Sequence, residues 1–220
     1  MSTAIMTTPR AYAGLSAQQR RDQRRERLIE AAIRVYGRVG WRNATVKTVC
    51  EEAGLTERYF YESFTNGEAL LIASFDTVTQ LVLNCLDGIR AEHEGSAETR
   101  CRAVLSAYFQ MLKDDPDGAR LFVVEIARVS PAVDEIMARS LRSFGDLLAR
   151  TVAPERQPQP TDAMLRVGAV GAVVQIARSW IGSDFTESIN SIAENAWQLV
   201  SVLAHERGAA DSHDRPGIEI

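Results

Sequence analysis

Apolar residues recur at three- and four-residue steps along almost the whole chain, and no stretch sustains the two-residue alternation of a strand. A first helix is expected from about Arg20 to Val39. Leu28, Ala32, Val35, Tyr36 and Val39 form its apolar face, and Gly40 follows at the C-cap position. Thr45 offers a side-chain oxygen as N-cap of a second helix, in which Val46, Val49, Cys50 and Ala53 form one stripe. Gly54-Leu55 ends it, because glycine tolerates the left-handed backbone of a sharp turn. Thr56 opens a short third helix with Phe60 and Phe64 facing inward, as Trp41 also does. A long fourth helix is expected over about Glu68 to Ala91. Thr65 with Glu68 fits a capping box before it, and Asn66 is the alternative cap. Further helices are expected at about 97–114, 118–129, 131–152, 161–182 and 186–206, punctuated by Gly95, Pro116 with Gly118, Pro131, the Pro154–Pro160 loop and Gly182. The expected class is all-α. A flexible arm is expected over 1–19, a three-helix head over 20–66, a larger helical body over 67–207, and a flexible tail over 208–220.

Charge separates the head from the body. The chain of 220 residues has a net charge of −4. Residues 1–70 carry 11 basic and 8 acidic side chains, net +3, whereas residues 71–220 carry 14 and 21, net −7. A basic front and an acidic back suit nucleic-acid contact only if a reading motif lies in the basic part. A helix ending at Ala53, a turn at Gly54-Leu55 and a short helix from Thr56 supply one, a helix-turn-helix over about 45–64. Val46, Val49, Ala53, Leu55, Phe60 and Phe64 are expected on its packing side. Thr56, Glu57, Arg58, Tyr59, Tyr61 and Glu62 are expected outward. Hydroxyls, an arginine and aromatic rings can bond phosphates or meet base edges.

The stretch from Arg27 to Leu71 also resembles the DNA-binding domain of the tetracycline-repressor (TetR) family. The likeness rests on the basic first helix, the aromatic Trp41 after Gly40, the Ala44-Thr45 pair entering helix 2, and the Ala53-Gly54-Leu55-Thr56 turn with Tyr61 and Phe64 behind it. Residues from about 72 onward share only helical character and length. The resemblance implies that Thr45 binds a phosphate through its hydroxyl and the N–H groups at the start of helix 2. It implies Lys47 and Thr48 at the backbone or groove edge, Thr56, Glu57, Arg58 and Tyr59 in or at the major groove, and Tyr61 on a phosphate. The sequence departs from the family at Gly67, where a phosphate-contacting lysine is common. Arg20, Arg21, Arg24 and Arg25 either supply the missing charge or form a solvated helix face. Glu57 and Glu62 either accept from cytosine amino groups or point to solvent.

For the body, the resemblance implies a homodimer that binds a palindromic double-stranded operator and is released by a small-molecule effector, repression being usual in the family. Polar or aromatic residues within apolar helices are the candidate effector contacts: Asn84, Tyr108, Met111 and Phe122, then Glu125, Phe144, Gln175 and Trp180. The two last helices are expected at the dimer interface. Ala163, Gly168, Ala169, Ala172 and Val173 would allow close approach, and Trp197, Leu199, Val200 and Leu203 would add apolar area.

Other classes are disfavoured by the residues present. There is no GxSxG, Walker A loop, GxGxxG or HExxH. His93, His205 and His213 form no ligand spacing, so no catalytic residue, cofactor or metal is expected. An all-helical small-molecule-binding or enzymatic bundle without DNA binding is the alternative. Cys50, Cys85 and Cys101 are an odd count without a CxxC, and are expected as small buried hydrophobes, with redox sensing the alternative. The longest apolar run, Val167 to Ala177, is too short to span a bilayer, so no membrane partner and a cytoplasmic location are expected.

Overall fold

The computed structural model describes residues 16–127, 129–154 and 162–213, with side chains described to residue 201. Among these residues there are nine α-helices and no strand. They are α1 (Ala17–Val39), α2 (Val46–Ala53), α3 (Glu57–Ser63), α4 (Gly67–Glu92), α5 (Ala97–Asp114), α6 (Pro116–Arg120), α7 (Pro131–Val152), α8 (Ala163–Gly182) and α9 (Ile189–His213). A 3₁₀ turn covers Trp41–Asn43, and a π-helical turn covers Leu121–Glu125.

Local chemistry sets most of the ends. Ser16 caps α1 in a reciprocal capping box with Gln19, so residues 17–19 are helical; the rest of the expected arm lies outside the described residues. Asn66, rather than Thr65, caps α4, its Oδ1 accepting the Ala69 N–H at 2.8 Å. Ser96 and Ser130 cap α5 and α7. The helix expected over 118–129 instead begins at Pro116 under an Asp115 cap and gives way to the π turn after Arg120. Its run Leu121-Phe122-Val123-Val124-Glu125 is apolar on every side except the last residue. Periodicity therefore could not reveal the wider winding. At the other end, α9 passes the expected stop and continues to His213; one glycine, Gly208, does not break it, and the next proline is Pro216.

The helices enclose one buried cluster running from Leu28, Phe60 and Leu70 through Phe75 and Phe109 to Trp180 and Val200. In the head, α1 packs on α2, α3 and α4; in the body, α5 lies on α9, α7 on α8, and α4 against α5 and α7. Two helices, α4 and α8, are long and apolar enough to cross a bilayer by length and composition. Isolated charges such as Asp76 in α4 and Arg178 in α8 interrupt their apolar runs, so neither helix stands out in the sequence as one unbroken apolar stretch. In α4 the apolar residues Leu70, Leu71, Phe75, Val82 and Leu86 belong to the protein core. Cys50 and Cys101 are buried, as expected of small hydrophobes, whereas Cys85 is exposed.

Candidate functional site

The head is built around the turn between α2 and α3. Gly54 sits in the left-handed region (φ +62°), and the Leu55 N–H returns to the Cys50 carbonyl at 2.9 Å, closing α2 in a tight C-terminal motif. The Arg27 guanidinium donates to the Ala53 carbonyl at 2.6 Å, satisfying another end of α2 from α1. At the start of α2, Thr45 Oγ1 accepts the Thr48 N–H (3.1 Å), and Thr48 Oγ1 accepts the Thr45 N–H (2.9 Å). Both hydroxyls are thus engaged in the capping box yet exposed, with Lys47 exposed between them.

On α3, Thr56, Glu57, Arg58 and Tyr61 are exposed, and Tyr61 keeps 61 % of its surface free. Thr56 is the N-cap but makes no side-chain capping bond. Tyr59 is half-buried rather than outward, its ring lying 4.5 Å beneath the Arg24 guanidinium of α1. Glu62 stands between Arg24 (3.6 Å) and Arg58 (3.2 Å). Its charge is therefore partly neutralised on the head itself, which accounts for a glutamate on this face. The Arg25 guanidinium lies over Phe64 at 4.8 Å, so of Arg20, Arg21, Arg24 and Arg25 the last two are stapled to α3 or the residue capping it. A Cβ on Gly67 would lie 3.2 Å from Cη2 of Trp41, so glycine leaves room for the indole. A side chain at this position would press on that ring.

Head and body meet at α6 and at the π turn, and the π turn is tied in turn to α8. Gly37 of α1 meets the backbone of Asp117 in α6 so closely that a Cβ there would lie 2.2 Å from the Asp117 oxygen. Glu125 Oε2, in the π turn, accepts the Trp41 backbone N–H at 2.9 Å. The Val123 carbonyl, from the same turn, accepts from Nη2 and Nε of Arg178 in α8 at 2.8 and 3.2 Å.

Behind the π turn the body holds a partly open cavity of about 80 Å³. Its walls come from α4, α5, the π turn, α7, α8 and α9, with Leu86, Tyr108, Phe122, Phe144, Leu147 and Val173 among them. Phe122 stacks on Phe75 at 5.5 Å and meets Phe144 edge-on at 5.8 Å. Cys101 also lines it, and burial pushes its thiol pKa up to about 12, so it is neither thiolate nor nucleophile. Among the described residues, no cluster of His, Cys, Asp or Glu could hold a metal ion.

Residues 28–73 match the family model described as "Bacterial regulatory proteins, tetR family". The HTH-type transcriptional activator FasR of Mycolicibacterium smegmatis is 25 % identical over 182 residues, covering 81 % of this chain and 82 % of that one. The head, residues 28–73, is a TetR-family DNA-binding domain. Two solved structures share its fold. The fatty acid degradation regulator FadR from Bacillus halodurans superposes with a TM-score of 0.67 at 20 % identity, covering 80 % of this chain and 94 % of that one. FadR from Bacillus subtilis, in complex with stearoyl-CoA, gives 0.66 at 18 % identity, covering 80 % and 96 %.

Behind this TetR-like head, three of the eight expected effector contacts, Tyr108, Phe122 and Phe144, come together around the cavity. The other five lie elsewhere. Asn84 and Gln175 are exposed, each on the outer face of its helix. Met111 packs half-buried against the core. Trp180 is buried between Phe109 and Phe185 and donates its Nε1–H to the Glu187 carbonyl at 3.0 Å. Glu125 reaches the head instead. Most of the lining was missed because it is aliphatic: Val104, Leu105, Leu147, Leu148 and Val170 carry no polar signal to separate a cavity wall from a solid core.

Proposed function

We propose that this regulator binds a palindromic operator as a homodimer and is released by an apolar effector held in the body cavity, acting as a repressor in the cytoplasm rather than as an enzyme. DNA would be met by the exposed face of the head. Tyr61 and the start of α2, with Thr45, Lys47 and Thr48, would hold phosphates, and Thr56, Glu57 and Arg58 would enter the major groove, with Tyr59 supporting from beneath Arg24.

The observation that carries the effector reading is the position of the π turn. Phe122 is in the cavity wall and Glu125, three residues on, holds the head. An occupant that displaces Phe122 turns the same short segment that fixes Trp41. It can therefore bias the head between two settings in proportion to its differential affinity for them. An apolar effector suits a wall of this composition, and a relative of the same fold is named with stearoyl-CoA bound.

A dimer would cover the outer stripe of α8 and α9. Met164, Leu165 and Leu199 are exposed there, and a Cβ on Gly168 or Gly171 would meet no atom within 4 Å. Ala163, Ala169 and Ala172 supply further small residues. Val173, Trp197 and Val200 do not belong to this stripe, since they are buried in the chain's own core. The side chain of Leu203 lies outside the described ones.

The test is fluorescence anisotropy on promoter DNA upstream of the chain's own gene, with and without long-chain acyl-CoA, alongside sedimentation velocity. A dimer that binds, is released by the acyl compound, and loses affinity for every duplex on Tyr61→Ala supports the proposal. A monomer at micromolar concentration, or binding indifferent to Tyr61, contradicts it.

A further inference from the structure

The cavity is small, and its wall is not equally firm all round. It offers about 80 Å³, and one water molecule needs on the order of 10–15 Å³ of such space. A methylene group is of similar size, so roughly five to eight in a row fill it. Leu86, Val104, Leu105, Leu147, Val170 and Val173 line it from α4, α5, α7 and α8. Those helices brace one another, α7 on α8 and α4 against α5 and α7, and α5 is backed by α9. Pushing one of these side chains outward means shifting a long helix in a close-packed interior. Phe122 differs, because among the lining residues it alone stands on the π turn. Such a turn is an uncommon single-turn winding, and this one runs into a non-helical turn at Ile126. The Phe122 ring is stacked on Phe75 of α4 at 5.5 Å and meets Phe144 of α7 edge-on at 5.8 Å. Phe75 is itself buried, so pressure on the ring from the cavity passes to the backbone of the turn. That backbone carries Glu125, which holds Trp41, and the Val123 carbonyl, which holds Arg178.

We propose that Phe122 is a length gauge. A straight apolar chain of up to about five to eight carbons fills the existing space and leaves the π turn where it is. A longer chain presses on the wall, and the wall yields at Phe122, drawing Glu125 away from the Trp41 N–H. Short occupants thus bind without loosening the head. Longer ones loosen it, in proportion to their differential affinity for its two settings. The gauge rests on the reading of the body as an effector domain, and adds which chain lengths signal and which residue decides. The polar end of the occupant stays at the open side, since no charged residue lines the cavity.

Calorimetric titration of the full chain with straight 1-alkanols from butanol to decanol tests this, with hydrogen exchange at the Trp41 amide read at saturation. The Leu55 amide, bonded to the Cys50 carbonyl inside the head, is the reference. In wild type, affinity is expected to rise about fourfold per carbon, the worth of burying one methylene. A break is expected between about pentanol and octanol. Beyond it the gain should fall below about twofold per carbon, and Trp41 exchange should quicken at least about threefold relative to Leu55. Phe122→Ala, which removes the ring, should carry both changes to longer chains or off the series. Phe122→Leu, which keeps the core largely filled, should carry them by about one to three carbons. Trp41 exchange that quickens with butanol as much as with decanol overturns the proposal. So does a break that stays in place in Phe122→Leu, or failure of every alcohol to bind. A fourfold gain that continues to decanol with Trp41 still protected overturns it too, because the chain then leaves by the open side. Operator DNA separates the two readings. If the break is found but no alcohol or acyl compound releases DNA, the effector reading falls and the gauge stands. If an acyl compound releases DNA and no break is found, the reverse holds.

Discussion

Glu125 Oε2 accepts the backbone N–H of Trp41 across 2.9 Å, joining residues 84 positions apart. The bond ties the π turn behind the cavity to the connection between α1 and α2. Its acceptor is a half-buried carboxylate beside Gly40, whose φ of +81° turns the chain to present that N–H.

Removing this acceptor should uncouple head from body. Glu125→Ala is expected to cost about 1.5–3 kcal/mol, the range for a hydrogen bond to a charged group. Glu125→Gln retains an acceptor oxygen and should lose less. Hydrogen exchange at the Trp41 amide, measured beside chemical denaturation, checks this: the amide should become much less protected in the alanine variant. Unchanged protection would mean that the bond does not hold the head.

Gly37→Ala should be among the most damaging single-methyl additions. The new Cβ would fall 2.2 Å from the Asp117 carbonyl oxygen and 2.5 Å from its Cα. Both are backbone atoms, so α1 and α6 must separate. A loss of at least about 1–3 kcal/mol in denaturant unfolding is expected, the usual cost of overpacking a tight interior contact. A variant as stable as wild type would show that the close approach is not maintained.

How much of this was legible beforehand depended on where the chemistry was local. Ser96, Ser130 and Pro131 sit beside the elements they start, so helices expected at 97–114 and 131–152 match α5 and α7 end for end. The turn at Gly54 was equally readable, because its left-handed backbone demands glycine. The π turn was not, since an all-apolar run carries no phase. Glu125 stood out as a polar residue in an apolar segment and was expected to contact an effector, but its partner is a backbone N–H in the head, which no side-chain pattern announces. Gly67 looked like a lost phosphate contact, and its closeness to the Trp41 ring is visible only in the structure. The cavity was found through its aromatic residues alone; the aliphatic remainder has the same chemistry as ordinary core.

Glu62 restrains two arginines on the head, Arg24 and Arg58. Glu62→Gln should release part of that positive charge toward DNA. Non-specific duplex affinity should rise, and the slope of log K against log salt should steepen by up to about 0.9 for each additional phosphate neutralised. Anisotropy titrations on a random-sequence duplex at several salt concentrations read both quantities. A decline in affinity would instead indicate that Glu62 itself meets a base.

Acid stability should respond to Glu52. Hydrogen bonds from Arg34 (2.8 Å) and then Arg38 (2.5 Å) hold its carboxyl below the usual carboxylate range. The folded state thus binds this proton less readily than the unfolded chain. The contribution is present above the ordinary carboxylate pKa and is lost as pH falls through the lowered folded value. Glu52→Gln should flatten the acid limb of the stability curve without moving the neutral-to-alkaline part. An acid limb of the same steepness would show that this exposed pair contributes nothing measurable.

The most direct measurement is a nuclease footprint of the purified chain on the DNA upstream of its own gene, repeated over a salt series. Two protected half-sites about one helical turn apart are expected, with protection lost steeply as salt rises. Absence of a protected site at micromolar protein, or protection insensitive to salt, would contradict docking of the α2–α3 head on DNA.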